Sequence, residues 1–155
     1  MYQRILVAID NSDTSDLVLW HAVTLAKDQR AQLRIAHAVD SIAIAATTTG
    51  GFPVDATPLF ETLRENGRAA LEKASTSARS AGVQAECVLL EDEELSARVA
   101  TLLMREAKRW GADLIAIGTH GRRGFDRLLL GSVAETLIRT APVPILLVRA
   151  TPNDR

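Results

Sequence analysis

Between residues 118 and 132 the chain reads Gly-Thr-His-Gly-Arg-Arg-Gly-Phe-Asp-Arg-Leu-Leu-Leu-Gly-Ser. The chemistry that asks for this combination is anion binding. Glycine holds no side chain between the backbone and a ligand, so Gly118, Gly121 and Gly131 can bring N–H groups up to phosphate oxygens. Ser132 stands where a helical pattern begins, and the first amides of a helix, here those of Ser132 and Val133, lack intrahelical acceptors. Arg122, Arg123 and Arg127 add positive charge where a polyphosphate carries several negative ones. The stretch reads as a phosphate cradle.

Two common phosphate loops do not fit it. A Walker loop needs Gly-Lys-Ser/Thr at the helix start, but Leu130 precedes Gly131-Ser132 and the loop holds no lysine. The dinucleotide fingerprint needs two glycines one residue apart, whereas Gly118, Gly121 and Gly124 come at threes. What remains is Gly-x2-Gly, nine residues, then Gly-Ser: Gly118, Gly121, Gly131 and Ser132.

That spacing resembles the nucleotide-binding signature of the universal stress protein family. The resemblance extends from Ile5-Leu6-Val7-Ala8-Ile9-Asp10 to Pro142-Val143-Pro144-Ile145-Leu146-Leu147-Val148, and departs at Glu91 to Leu95, where many relatives carry a Gly-Pro-like lead. It implies a Rossmann-like, adenine nucleotide alpha hydrolase-like fold with strand order 3-2-1-4-5. The intact signature implies ATP, with or without Mg2+, as the cofactor. It further implies that Asp10 accepts hydrogen bonds from ribose hydroxyls and that backbone groups of Ala38 and Val39 face the adenine edge.

The elements that must position these residues alternate along the chain. Ile5 to Ile9 is apolar on both faces, as suits a central parallel strand, and it runs into Asp10-Asn11-Ser12-Asp13-Thr14-Ser15, a cluster of helix-capping types. Val18, Ala22, Leu25 and Ala26 share one face of the helix that follows. Gln32 to Val39 is a second strand. Asp40 to Pro58 shows no periodicity and reads as a loop that either folds over a ligand or has no role. Leu59, Leu63, Ala70, Leu71, Ala74 and Ala78 mark a second helix ending at Gly82. Val83 to Leu90 is a third strand, holding Cys87 as a core thiol. The acidic run Glu91 to Glu94 suits the start of a third helix, which carries Val99, Leu102, Leu103, Ala107 and Trp110 and closes at Gly111. Ala112 to Ile117 is the fourth strand, Ser132 to Ala141 the fourth helix and Ile145 to Val148 the last strand. Such alternation predicts an α/β fold: one doubly wound five-stranded parallel sheet with helices on both faces. Residues 1–150 make one domain and 151–155 a polar tail.

Plainer roles compete for two site residues. Asp10 can cap the first helix, and Ser132 with Glu135 can form a capping box. His21, His37 and His120 are scattered and have no partners at metal-ligand spacing.

Composition limits the function classes. The 155 residues carry 18 Lys and Arg against 19 Asp and Glu, a net charge of −1, so no broad attraction to nucleic acid or membrane is expected. No apolar run approaches the ~20 residues of a membrane helix. Met1 leads directly into a strand-like run, and a lone cysteine suits a reducing compartment, so the expected location is cytoplasmic. The leading reading is an ATP-dependent stress-response signalling protein with little or no hydrolysis. Two alternatives stand beside it: a slow ATPase or nucleotidyl-transferring enzyme on the same scaffold, and a dimeric interaction protein in which nucleotide is structural. A homodimer through the exposed edge of the Val143 to Val148 strand is expected on general grounds.

Overall fold

The structure, a computed structural model, describes residues 1–40, 57–92, 98–119 and 130–149. In chain order the elements are β1 (Arg4–Ile9), α1 (Asp13–Gln29), β2 (Gln32–Ala38), α2 (Thr57–Ser80), β3 (Ala85–Leu90), α3 (Val99–Trp110), β4 (Leu114–Gly118), α4 (Ser132–Thr140) and β5 (Ile145–Val148). All pairings are parallel and the strand order is β3-β2-β1-β4-β5, as expected.

Alternation along the strands divides the core into two layers. Val7, Ile35 and Ala116 face α1 and α2, where Val18, Ala22, Leu71 and Ala78 are buried. Leu6, Ala36 and Ile115 face α3 and α4, where Leu103, Ala107 and Leu137 are buried. Ile5, Leu6 and Val7 are wholly shielded, which is why β1 reads as an unbroken apolar run. Each such side chain contributes about 1.5–3 kcal/mol, so the site is mounted on a rigid centre.

Helix ends follow local chemistry. Gly82 and Gly111 hold φ of +82° and +73°, and the next residues, Val83 and Ala112, donate back to the Ala78 and Ala107 carbonyls, ending α2 and α3 where the sequence placed the stops. Gly67, which apolar periodicity passes over, is buried in α2. A Cβ there would stand 2.8 Å from His37 Cδ2 and 2.6 Å from Leu89 Cδ1, so the absent side chain lets α2 settle onto β2 and β3.

At the amino-terminal end of the sheet, Asp113 accepts from the Gln3 and Arg4 amides at 2.7 and 3.0 Å. On the α3 side, Arg34 donates to the buried Glu106 at 2.5 Å and to Glu86, and lies 4.6 Å over the Trp110 ring. Burial pulls the Arg34 guanidinium down, but its hydrogen bonds to Glu86 and Glu106 outweigh this and leave it above its ordinary range.

Several expectations need correction. Cys87 is exposed rather than part of the core, because β3 is an edge strand flanked on one side only. Its sulfur nevertheless lies 3.6 Å from the Leu71 carbonyl beneath α2, and that burial pushes the thiol up. Glu91 and Asp92 do not start α3, whose first turn holds no acid. They pair instead with Arg64 and Arg105, at 3.0 and 3.6 Å. Thr57 and Pro58 belong to α2 rather than the preceding loop, Pro58 being tolerated where helical amides have no acceptor. Leu59 is exposed. Residues 41–56, Glu93, Glu94 and the 151–155 tail lie outside the described residues.

Candidate functional site

The carboxyl ends of the inner strands part. The β1–β4 ladder runs from Ile5↔Leu114 to Val7↔Ala116 and stops there, although the strands run on to Ile9 and Gly118. Beyond that point β1 stays with β2 as far as Ile9↔His37, and β4 stays with β5 as far as Gly118↔Val148. The split opens where the winding reverses, because the chain crosses from β1 to β2 in one direction and from β4 to β5 in the other. This is where an open α/β sheet takes a ligand. Asp10 leaves the sheet on one side of the split and Thr119 on the other.

On the β1 side the chain turns sharply. Asn11 adopts a left-handed φ of 58°, and the Ser12 amide donates to Asp10 Oδ1 at 3.2 Å. Two hydroxyls reach the same oxygen, Ser12 Oγ at 2.5 Å and Ser15 Oγ at 2.8 Å. Ser15 Oγ also accepts from the Asp10 amide at 2.8 Å. Asp10 therefore does not cap α1: the N-cap is Ser12, which makes no side-chain capping bond. The carboxylate is held by the turn that follows β1, next to the split.

On the β4 side, the Thr119 amide donates to the Val148 carbonyl at 2.9 Å, and the Thr119 carbonyl accepts from the Gly131 amide at 2.8 Å. The two ends of the connection are thus tied together at the foot of the sheet. Gly131 is the N-cap of α4 and Ser132 its first residue, with no side-chain capping bond. The capping box expected of Ser132 and Glu135 is not formed, since Ser132 sits one position too far into the helix. Glu135 pairs instead with Arg139 at 3.4 Å. Helical bonding begins with the Glu135 amide donating to the Gly131 carbonyl, so the amides of Ser132, Val133 and Ala134 have no acceptor within the helix. The α4 dipole adds partial positive charge at the same end.

On the far side of β1, the Val39 amide is engaged by the Leu90 carbonyl at 2.9 Å, so what Val39 can offer a base is its carbonyl. Ala38 closes β2 beside it. The structure therefore gathers Asp10, Ala38, Val39, Gly118, Gly131, Ser132 and Val133 at one end of the sheet. Gly121, Arg122 and Arg123, with His120, Gly124 and Arg127, lie outside the described residues.

A separate cleft of about 140 Å³ lies on the α1–α2 side, lined by Ile9, Asn11, Ser15, Asp16 and Lys73 among others. It sits beside the split rather than in it, since no β4 residue lines it. Lys73 pairs across it with Asp16 at 2.8 Å. Among the described residues no group of three or more His, Cys, Asp or Glu could hold a metal ion, and no helix is long and apolar enough to cross a membrane. Sequence reasoning missed Ser15 and Thr119. Ser15 had a signal, because serines two and five residues after an aspartate at a strand end can both turn back to its carboxylate. Thr119 had none, since it acts through its backbone.

The family model for universal stress proteins matches residues 1–149. This chain belongs to the universal stress protein family. Among members of the family, one from Methanocaldococcus jannaschii is 33% identical over 150 residues, spanning 96% of this chain and 83% of that protein. YxiE of Bacillus subtilis is 33% identical over 153 residues, covering 96% and 100%. A family structure from Burkholderia pseudomallei superposes with a TM-score of 0.77 at 36% identity, covering 96% of this chain and 97% of that one. A universal stress protein solved in complex with cAMP superposes with a TM-score of 0.70 at 25% identity, covering 97% and 99%.

Proposed function

We propose that this universal stress protein binds ATP in the β1–β4 split and uses its occupancy as a stress-response signal in the cytoplasm, with little or no hydrolysis. The observation that carries the reading is the split itself, with Asp10 leaving β1 on one lip and, on the other, the α4 amides that have no acceptor within the helix. Those two groups match the two ends of a nucleotide: a carboxylate accepts from ribose hydroxyls, and helix-start amides preceded by a glycine receive phosphate oxygens. The relative solved with cAMP supports an adenine nucleotide as the class of ligand. Gly118, Gly121, Gly131, Ser132, Val133, Arg122 and Arg123 serve the phosphates, and the ends of Ala38 and Val39 the base. Mg2+, where present, is held by the phosphates and water.

The test is calorimetric titration with ATP, mass spectrometry of nucleotide that co-purifies, and a phosphate-release assay. Gly121→Val should abolish binding while the circular dichroism spectrum stays unchanged. ATP binding at full strength by that variant would refute the cradle.

The protein further acts as a homodimer through β5. This strand is an outer edge of the sheet, and exposed apolar residues stand on it and on α4, Leu147 at 36% and Ile138 at 48%. A bare apolar edge is a surface that proteins ordinarily cover. Sedimentation at micromolar concentration should give a dimer for the native chain and a monomer for Leu147→Lys. A native monomer rules the arrangement out.

A further inference from the structure

We infer that Ser15 is a positioning residue that fixes the Asp10 carboxylate next to the β1–β4 split, and thereby sets how well the protein distinguishes a ribose from a sugar without hydroxyls. The inference rests on the reading that Asp10 receives the ribose. Ser15 lies in the first turn of α1 and is 8% exposed. Its hydroxyl bonds one residue twice, accepting from the Asp10 amide and donating its one proton to Asp10 Oδ1, each at 2.8 Å, and lies 3.4 Å from Ser12 Oγ. A hydroxyl that bonds the main chain and the side chain of the same aspartate locks that side chain against its own backbone. The Ser12 amide and hydroxyl converge on the same Oδ1 at 3.2 and 2.5 Å. Oδ1 is therefore committed to the turn. Turning the carboxylate away would break these three bonds at once, so its orientation is fixed by the turn.

A carboxylate that is merely near a ribose can drop one hydroxyl and follow another. One that is held in place cannot, and the difference appears as discrimination rather than as bulk affinity. Ser15 does not itself meet the ligand in this scheme, because it is buried and its one proton is given to Asp10.

The experiment measures the ratio of Kd for 2′,3′-dideoxy-ATP to Kd for ATP in the native protein, Ser15→Ala, Ser15→Thr, Asp10→Ala and the Asp10→Ala/Ser15→Ala double variant. Both ligands compete for the same folded molecules, so partial unfolding of a variant cancels in the ratio. Ser15→Ala should shrink the ratio by roughly three- to tenfold, the worth of one to two hydrogen bonds. Ser15→Thr keeps the hydroxyl and should restore it, its methyl finding room in the cleft that Ser15 lines. In the Asp10→Ala background, Ser15→Ala should change nothing further, because its effect travels through the carboxylate. If Asp10→Ala lowers the ratio and Ser15→Ala leaves it at the native value, the inference is overturned while the role of Asp10 stands. If Asp10→Ala leaves the native ratio unmoved, or the native protein does not bind ATP, the reading of Asp10 fails and the inference falls with it.

Discussion

Replacing Ser132 by Asp should stabilise the protein without nucleotide and cripple it as a nucleotide receptor, two effects of opposite sign from one charge. Ser132 is the first residue of α4, it is exposed, and the N-cap before it, Gly131, has no side chain with which to cap the helix. A carboxylate in that first turn meets the positive end of the helix dipole and gains about 0.3–1 kcal/mol, which in a chain of this size raises Tm by roughly 1–4 °C. The same carboxylate occupies the ground assigned to phosphate oxygens. At a separation of about 6 Å and an effective dielectric constant of about 20, one phosphate charge is repelled by about 3 kcal/mol, or about a hundredfold in Kd. Thermal unfolding without ligand and ATP titration at low salt measure the two effects. Ser132→Asn, which is similar in size and uncharged, serves as the control and should keep most of the affinity. The reasoning fails if Ser132→Asp binds ATP within about threefold of the native protein, or if Asn and Asp lose affinity equally.

Two further outcomes follow from the rest of the molecule. Arg34→Met should cost about 2–3 kcal/mol in urea denaturation, because Glu106, its side chain 3% exposed, is left with Arg109 as its remaining described ionic partner; adding Glu106→Leu should recover most of the loss, and a single-variant cost under about 1 kcal/mol would show that Arg109 suffices. Cys87, its thiol pushed up by burial of the sulfur under α2, should be alkylated with a pH midpoint above that of free cysteine. Because the folded form resists the thiolate, its contribution to stability is complete below the ordinary thiol range and is lost as pH rises through the raised value; an alkylation midpoint at or below free cysteine contradicts this.

Much of the candidate site was legible because its parts are local. Gly118, Gly131 and Ser132 announce themselves by residue type beside an apolar strand, and Asp10 stands where a buried run gives way to polar residues. Apolar periodicity likewise found every described strand and helix, since each must bury one face or both. Errors gathered where a residue's surroundings come from elsewhere in the chain. Cys87 alternates correctly in β3, but whether a face is covered depends on what lies beyond the edge. Glu91 and Asp92 look like helix starters until Arg64 and Arg105 arrive from other elements. Ser132 and Glu135 carry the letters of a capping box, and only the helix's actual first turn, at Gly131, denies it.

By itself the sequence determined which elements form and which residues stand at the turns between them, because propensity, burial period and turn chemistry act over a few positions at a time. Tertiary structure alone decided that β1 and β4 release each other after Val7 and Ala116, that two serines converge on one oxygen of Asp10, and that Thr119 ties Gly131 to the end of β5. Those are relations between segments brought together by the packing of the whole sheet, and no window of neighbouring residues contains them.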